Sequence, residues 1–145
     1  MTAPVREYRF HFPVRVRYSE IDSQNIVFNS RYLEYCDAAV TEYFRALGFP
    51  PIDLVKVHGC NLVVAHAEID FLAPGRFDDL LNVFVRVAEI GRTSLTTSIE
   101  IYPDQTERLA FRGRFVHVNI DEATGKPVPV PARVREAVAA AENLP

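Results

Sequence analysis

Asp22 stands between a strand-like run, VRVRY, and a helical stretch that begins seven residues further on, at Asn29 and Ser30. This spacing sets a carboxylate beside the open amides of a helix start. Such amides carry partial positive charge, and they hold anions or polarise a carbonyl oxygen. A carboxylate next to an oxyanion-stabilising amide suits acyl transfer or hydrolysis. An aspartate in water, with a pKa of about 3.9, is a poor base at neutral pH. It gains basicity when a bound substrate strips away its water, and it can then activate a water molecule. A second route is direct attack on the acyl group, through a mixed anhydride. Residue types do not choose between the two. Position alone also fits an Asp22 that only holds its own turn and an Asn29 that only caps the helix.

The helix that must aim the amide is read at residues 30–47. Leu33, Cys36, Val40, Phe44 and Leu47 recur at steps of three and four, an apolar stripe for a core. Asn29 or Ser30 suits its N-cap, and Gly48 followed by Phe49 and Pro50 suits its end. Ahead of it, residues 8–18 (YRFHFPVRVRY) alternate as a strand, with Pro13 marking an edge or bend. Residues 50–57 read as a loop or short turn. Four strand candidates follow at 61–71, 80–90, 93–102 and 107–120. Leu81, Val83, Val85 and Val87 share one face, as do Leu95, Thr97, Ile99 and Ile101. Short connections after residue 90 and at 103–106 make neighbouring strands antiparallel. A last helix is read at 132–142, with Pro131 near its first turn. The expected class is α+β: a sheet of about five antiparallel strands wrapped around one long helix, plus a C-terminal helix.

The length, 145 residues, fits one domain over 1–145, with residues 1–7 a loose tail. A net charge of -3 argues against a nucleic-acid partner. No apolar run approaches the roughly 18 residues of a membrane span, so no membrane partner is expected. Cys36 and Cys60 lack CxxC spacing, and MTAPVREYRF lacks an apolar leader segment; both observations fit free thiols in a cytoplasmic protein. His11, His58, His66 and His117 show no metal spacing. The sequence has no GxSxG elbow, P-loop or GxGxxG.

The stretch YSEIDSQNIVFNSRYLEYCD, at residues 18–37, resembles the hotdog-fold acyl-CoA thioesterases of the 4-hydroxybenzoyl-CoA thioesterase family. That pattern is an Asp, a small apolar pair and a Tyr at the start of the central helix, here Asp22, Ile26 with Val27, and Tyr32. The likeness continues through VVAHAEIDFLAPGRFDDLLNVFVRV and the GRTS of residues 91–94, and covers roughly residues 10–140. There are two departures. The usual glycine three residues after the Asp is Asn25, the next most tolerant residue for left-handed backbone. Where one branch, the tol-pal-cluster type, has a His at the helix start, this chain has Asn29, so a histidine-assisted mechanism is not carried over.

The resemblance implies hydrolysis of an acyl-CoA thioester to free acid and CoA. Asp22 would be base or nucleophile, and the Asn29 backbone amide would polarise the thioester oxygen. Substrate or CoA contacts are implied at Ser30, Tyr32, His66, Arg92, Thr93 and Ser94, the arginine suiting a phosphate fork. No metal or redox cofactor is implied; coenzyme A enters only as part of the substrate. The implied assembly is a homodimer or homotetramer with the site at a subunit interface. On residue type alone, Arg92 is nearly as well read as a solvated turn residue, and His66 as a core or interface residue. One rival activity is a hotdog dehydratase or hydratase acting on acyl-CoA or acyl carrier protein. It is disfavoured because no His lies between Asp22 and Leu47. The other is a non-catalytic acyl-CoA-binding protein.

Overall fold

Period-two alternation in five segments builds one antiparallel sheet. The computed structural model describes residues 7–145, so the expected loose tail at 1–7 lies almost wholly outside the described residues. The strands are β1 (Phe10–Arg15), β2 (Leu62–Phe71), β3 (Leu80–Ile90), β4 (Ser94–Pro103) and β5 (Phe111–Asn119), in the spatial order β1-β3-β4-β5-β2. Every pairing is antiparallel. Among the described residues β1 pairs only with β3, setting Pro13 opposite Asn82; an edge strand tolerates a residue with no N–H. β5 is shorter than the expected 107–120, because a turn and an extended connection occupy 104–110. β2 does not sit beside β3, its successor in sequence. Residues 72–79 carry the chain across the sheet, and β2 becomes the second edge, bonded among the described residues to β5 alone.

The expected faces of β3 and β4 are the floor of the core. Leu81, Val83 and Val85 are fully buried, as are Leu95, Thr97 and Ile101. Across them lies the long helix, α1 (Arg31–Ala46). Its end follows from Gly48, which takes φ 94°. This lets the Gly48 and Phe49 amides turn back onto the Arg45 and Phe44 carbonyls at 3.0 and 2.9 Å, a Schellman closure. The buried stripe of α1 is Tyr32, Tyr35, Cys36, Ala39, Tyr43 and Phe44. Leu33, expected in the core, is 45% exposed, and Val40 and Leu47 are half-buried. The sheet covers one flank of the helix, and β2 leaves the other flank open. Residues 51–56 form a short helix, α2 (Pro51–Lys56), where the sequence reads as loop; proline at the first helical position supports it.

The last helix, α3 (Ala132–Glu142), has the expected bounds and buries Val134 and Val138. Its final residue ties three elements together. Glu142 Oε2 accepts the Tyr43 hydroxyl at 2.6 Å and the Val87 amide at 2.9 Å. Among the described residues, no helix is long and apolar enough to cross a membrane.

Candidate active site

The loop before α1 is built around Asp22. The Asp22 amide donates to the Ile26 carbonyl and the Asn25 amide to the Asp22 carbonyl, each at 2.9 Å. Closing this turn requires left-handed backbone, and Asn25 sits at φ 61°, as its tolerance for that region allows. Asp22 Oδ1 accepts the Gln24 amide at 2.8 Å. The turn-holding role of Asp22 is therefore real. It uses one carboxylate oxygen; Oδ2 has no protein partner among the described residues.

A second carboxylate, Glu20, fixes the loop to the helix. It is 2% exposed. It accepts the Arg17 amide at 2.8 Å, the Arg17 guanidinium at 2.8 and 3.2 Å, and the Tyr35 hydroxyl at 2.9 Å. Burial pushes the Glu20 carboxyl up, but the Arg17 and Tyr35 hydrogen bonds outweigh it, and the net shift is downward. Its own carbonyl accepts the Phe28 amide at 2.9 Å, which orients the residue just before Asn29. The sequence signal was the Arg17 and Glu20 pair three residues apart.

Ser30 stands at the N-cap of α1, one of the two expected positions, but neither it nor Asn29 makes a side-chain cap hydrogen bond. Among the described residues, their backbone amides have no protein acceptor. Open N–H groups at a helix start are the donors an oxyanion needs. Asp22 and Asn29 line one cavity of about 440 Å³, with Ile26, Tyr32, Phe71 and Pro74 in its wall. Tyr32 is a buried wall, its ring stacked on Phe111 at 5.3 Å, and its hydroxyl accepts the Gly75 amide at 3.0 Å. Gly75 fits closely there: a Cβ would lie 3.2 Å from both the Tyr32 hydroxyl and Val27, so the wall would have to give by a few tenths of an ångström. No sequence signal had singled it out.

The other expected contacts are not gathered around this cavity within one chain. Ser30 is exposed at the helix start, outside the cavity wall. His66 is exposed on β2, with its ring 3.7 Å from Glu68. Arg92, Thr93 and Ser94 occupy the far end of the sheet. There the Thr93 carbonyl accepts the Asn119 amide at 2.8 Å, and the Arg92 carbonyl accepts the Val130 amide at 3.0 Å. Ser94 pairs with Val118 and Ile101 with Phe111, so seven strand residues, about 23 Å, separate the turn from the Tyr32 wall.

Both cysteines are free and buried, a setting that disfavours the thiolate a nucleophile needs. Burial pushes the Cys36 thiol far up and the Cys60 thiol to about 11. Among the described residues, no three His, Cys, Asp or Glu side chains converge on a metal position.

The family model for the thioesterase-like superfamily matches residues 16–138. The chain belongs to that superfamily. Its five-stranded sheet and central helix are the hotdog fold of its relatives. A thioesterase from Thermus thermophilus, solved in complex with coenzyme A and Zn, superposes with a TM-score of 0.81 at 30% identity, over 96% of this chain and 98% of that one. A 1,4-dihydroxy-2-naphthoyl-CoA thioesterase from Synechocystis superposes with a TM-score of 0.82 at 23% identity, over 90% of this chain and 95% of that one, a likeness of fold alone. In sequence, the acyl-CoA thioesterase YbgC of Haemophilus influenzae is 38% identical over 81 residues, 56% of this chain and 60% of that protein's length. The acyl-CoA thioesterase YbgC of Helicobacter pylori is 24% identical over 87% of this chain and 97% of its own length.

Proposed function

We propose that this chain is an acyl-CoA thioester hydrolase, releasing free acid and coenzyme A. The observation that carries the reading is the shared cavity of Asp22 and the open Asn29 amide. A thioester carbonyl seated at the start of α1 has its oxygen at the amide and its carbon beside the free Asp22 oxygen. The bound substrate excludes water from Asp22 and raises its basicity. Asp22 then either takes a proton from an attacking water or attacks the carbonyl itself. A burst of CoA ahead of free acid marks the second route. No metal or redox cofactor enters either one.

The chain acts as a homo-oligomer. Among the described residues β2 is an edge strand bonded on one side only, and it exposes Val64 and Phe71 at 57% and 56%. A long apolar edge calls for a partner, and a second copy joined edge to edge at β2 supplies one. In such an assembly the Arg92 turn of one protomer would serve the CoA phosphates at the site of the other. Two free buried thiols fit a reducing cytoplasm.

The test is turnover of a panel of acyl-CoAs by wild type and Asp22→Asn. The expected result is hydrolysis of one or more thioesters by wild type and a loss of about 10²–10⁴-fold in the variant, with its thermal unfolding unchanged. Comparable rates for the two proteins would remove Asp22 from the chemistry. Tight binding without turnover would favour the non-catalytic alternative.

A further inference from the structure

Below the proposed thioester site, the flank of α1 left open by the sheet covers a second set of cavities. Asn29, Leu33, Cys36, Asp37 and Val40 follow one another at steps of four, three, one and three, so they lie along one helix face. A cavity of about 320 Å³ runs beneath that face, between Leu33, Cys36, Val40, Val64, Ala67 and Phe115. A smaller one of about 180 Å³ continues toward α2 and shares its walls at Asp37, Val40, Val64 and His117. The helix that presents the Asn29 amide is thus the roof of an apolar slot that starts one turn further on.

The slot is not wholly apolar. His117 is 8% exposed. Its Nε2 lies 3.0 Å from the Thr97 hydroxyl, and Nδ1 has no protein partner among the described residues. The bulge between Val64 and His66 brings Val64 opposite His117, so the ring forms part of the slot wall. A plain alkyl chain would leave Nδ1 desolvated without a hydrogen bond, which is unfavourable. A carboxylate would meet Asp37 in the same wall. A hydroxyl both donates and accepts, so it matches either imidazole tautomer.

Resting on the thioester-hydrolase reading, we propose that this slot holds the acyl group and that His117, oriented by Thr97, selects acyl chains carrying a distal hydroxyl. Asp37 lies eight residues beyond Asn29, about 12 Å along the helix, so the hydroxyl belongs near the far end of a medium-length chain. Burial lowers the His117 pKa, and Asp37 only partly opposes this. The ring is therefore neutral at pH 7, a hydrogen-bonding group rather than a charge.

The test compares kcat/KM for decanoyl-CoA and ω-hydroxydecanoyl-CoA. Wild type should prefer the hydroxylated thioester about tenfold, the worth of one well-placed hydrogen bond. His117→Leu should bring the ratio to about one. Thr97→Val, which removes only the orienting hydroxyl, should lower the ratio and carries the test if His117→Leu does not fold. No preference in wild type, or an unchanged ratio in the variants, would overturn the assignment of His117 while leaving hydrolysis intact. Absence of turnover with every thioester would overturn the hydrolase reading instead. The same ratio measured as binding affinity by calorimetry would then decide for or against the slot.

Discussion

Asn25 shows how one backbone angle reaches the chemistry. Its φ of 61° closes the turn that holds Asp22, and left-handed backbone costs an ordinary L-residue about 1–2 kcal/mol. Asn25→Gly should therefore keep stability and activity, whereas Asn25→Val should lose about 1–2 kcal/mol in urea unfolding and lower kcat. Equal behaviour of the two variants would show that the turn does not depend on this angle. Asn25 was legible through the resemblance, which has a glycine at this position, Asn being the next most tolerant residue for that region. His117 was not singled out, although the signal was present: Phe111, Phe115 and His117 alternate on one face of a strand and are all buried. Its burial has a pH signature. The folded pKa lies below that of free imidazole, so the unfolded chain binds the proton first. The stabilisation is fully present above about pH 6.5 and is lost as pH falls through the folded value. Unfolding midpoints at pH 7.5 and 5 should diverge less in His117→Leu than in wild type; equal divergence would reject the buried-imidazole account.

Elements are where periodicity was strong and also where it misled. The α1 sequence carries two overlapping stripes, one through Leu33 and Val40 and one through Tyr32, Ala39 and Tyr43. Both satisfy steps of three and four. The fold buries the second, together with Cys36 and Phe44 of the first, and leaves Leu33 exposed and Val40 half-buried. The sheet order was equally hidden, because a crossover from β2 past β5 and β4 to β3 leaves no local pattern. By contrast, α3 was read with its bounds intact, since Pro131 fixes its start. The sequence could not show why that helix matters: its last residue reaches Tyr43 on α1 and Val87 on β3. Glu142→Ala leaves a hydroxyl and an amide without their acceptor, and should cost about 2 kcal/mol. Because Tyr43 and Glu142 act as a pair, Tyr43→Phe should add less to Glu142→Ala than it costs alone. Additive losses in urea unfolding would show that the contact contributes little.

At the scale of the whole molecule, the position of the 91–94 turn sets the sharpest question. The GRTS resemblance expects Arg92 near the phosphates of coenzyme A, yet the turn lies about 23 Å along the sheet from the wall of its own cavity. The pantetheine arm sets the phosphates of coenzyme A far from the thioester, so two arrangements fit this distance: the arginine serves its own chain's site or, as we propose, a neighbouring subunit's. The open β2 edge supplies the means of bringing two chains together. Three expectations follow from this geometry. Asp22→Asn should be inactive through loss of its own carboxylate, and Arg92→Ala should be weak through a raised KM for CoA thioesters. Mixed after co-refolding, the two variants should regain activity, because the Arg92→Ala chain still carries Asp22 and receives Arg92 from its partner. Random pairing makes half of the dimers mixed, with one intact site in each, so recovery to roughly a quarter of wild-type activity is expected for a two-fold assembly. Action of Arg92 within its own chain would give no recovery on mixing. A fully active Arg92→Ala protein would instead remove the turn from the site and return it to the role of a solvated hairpin. Val64→Lys should bear on the same assembly from the other side, since a charge on an apolar edge opposes strand pairing. Light scattering should then show a smaller particle, and complementation should fall with it.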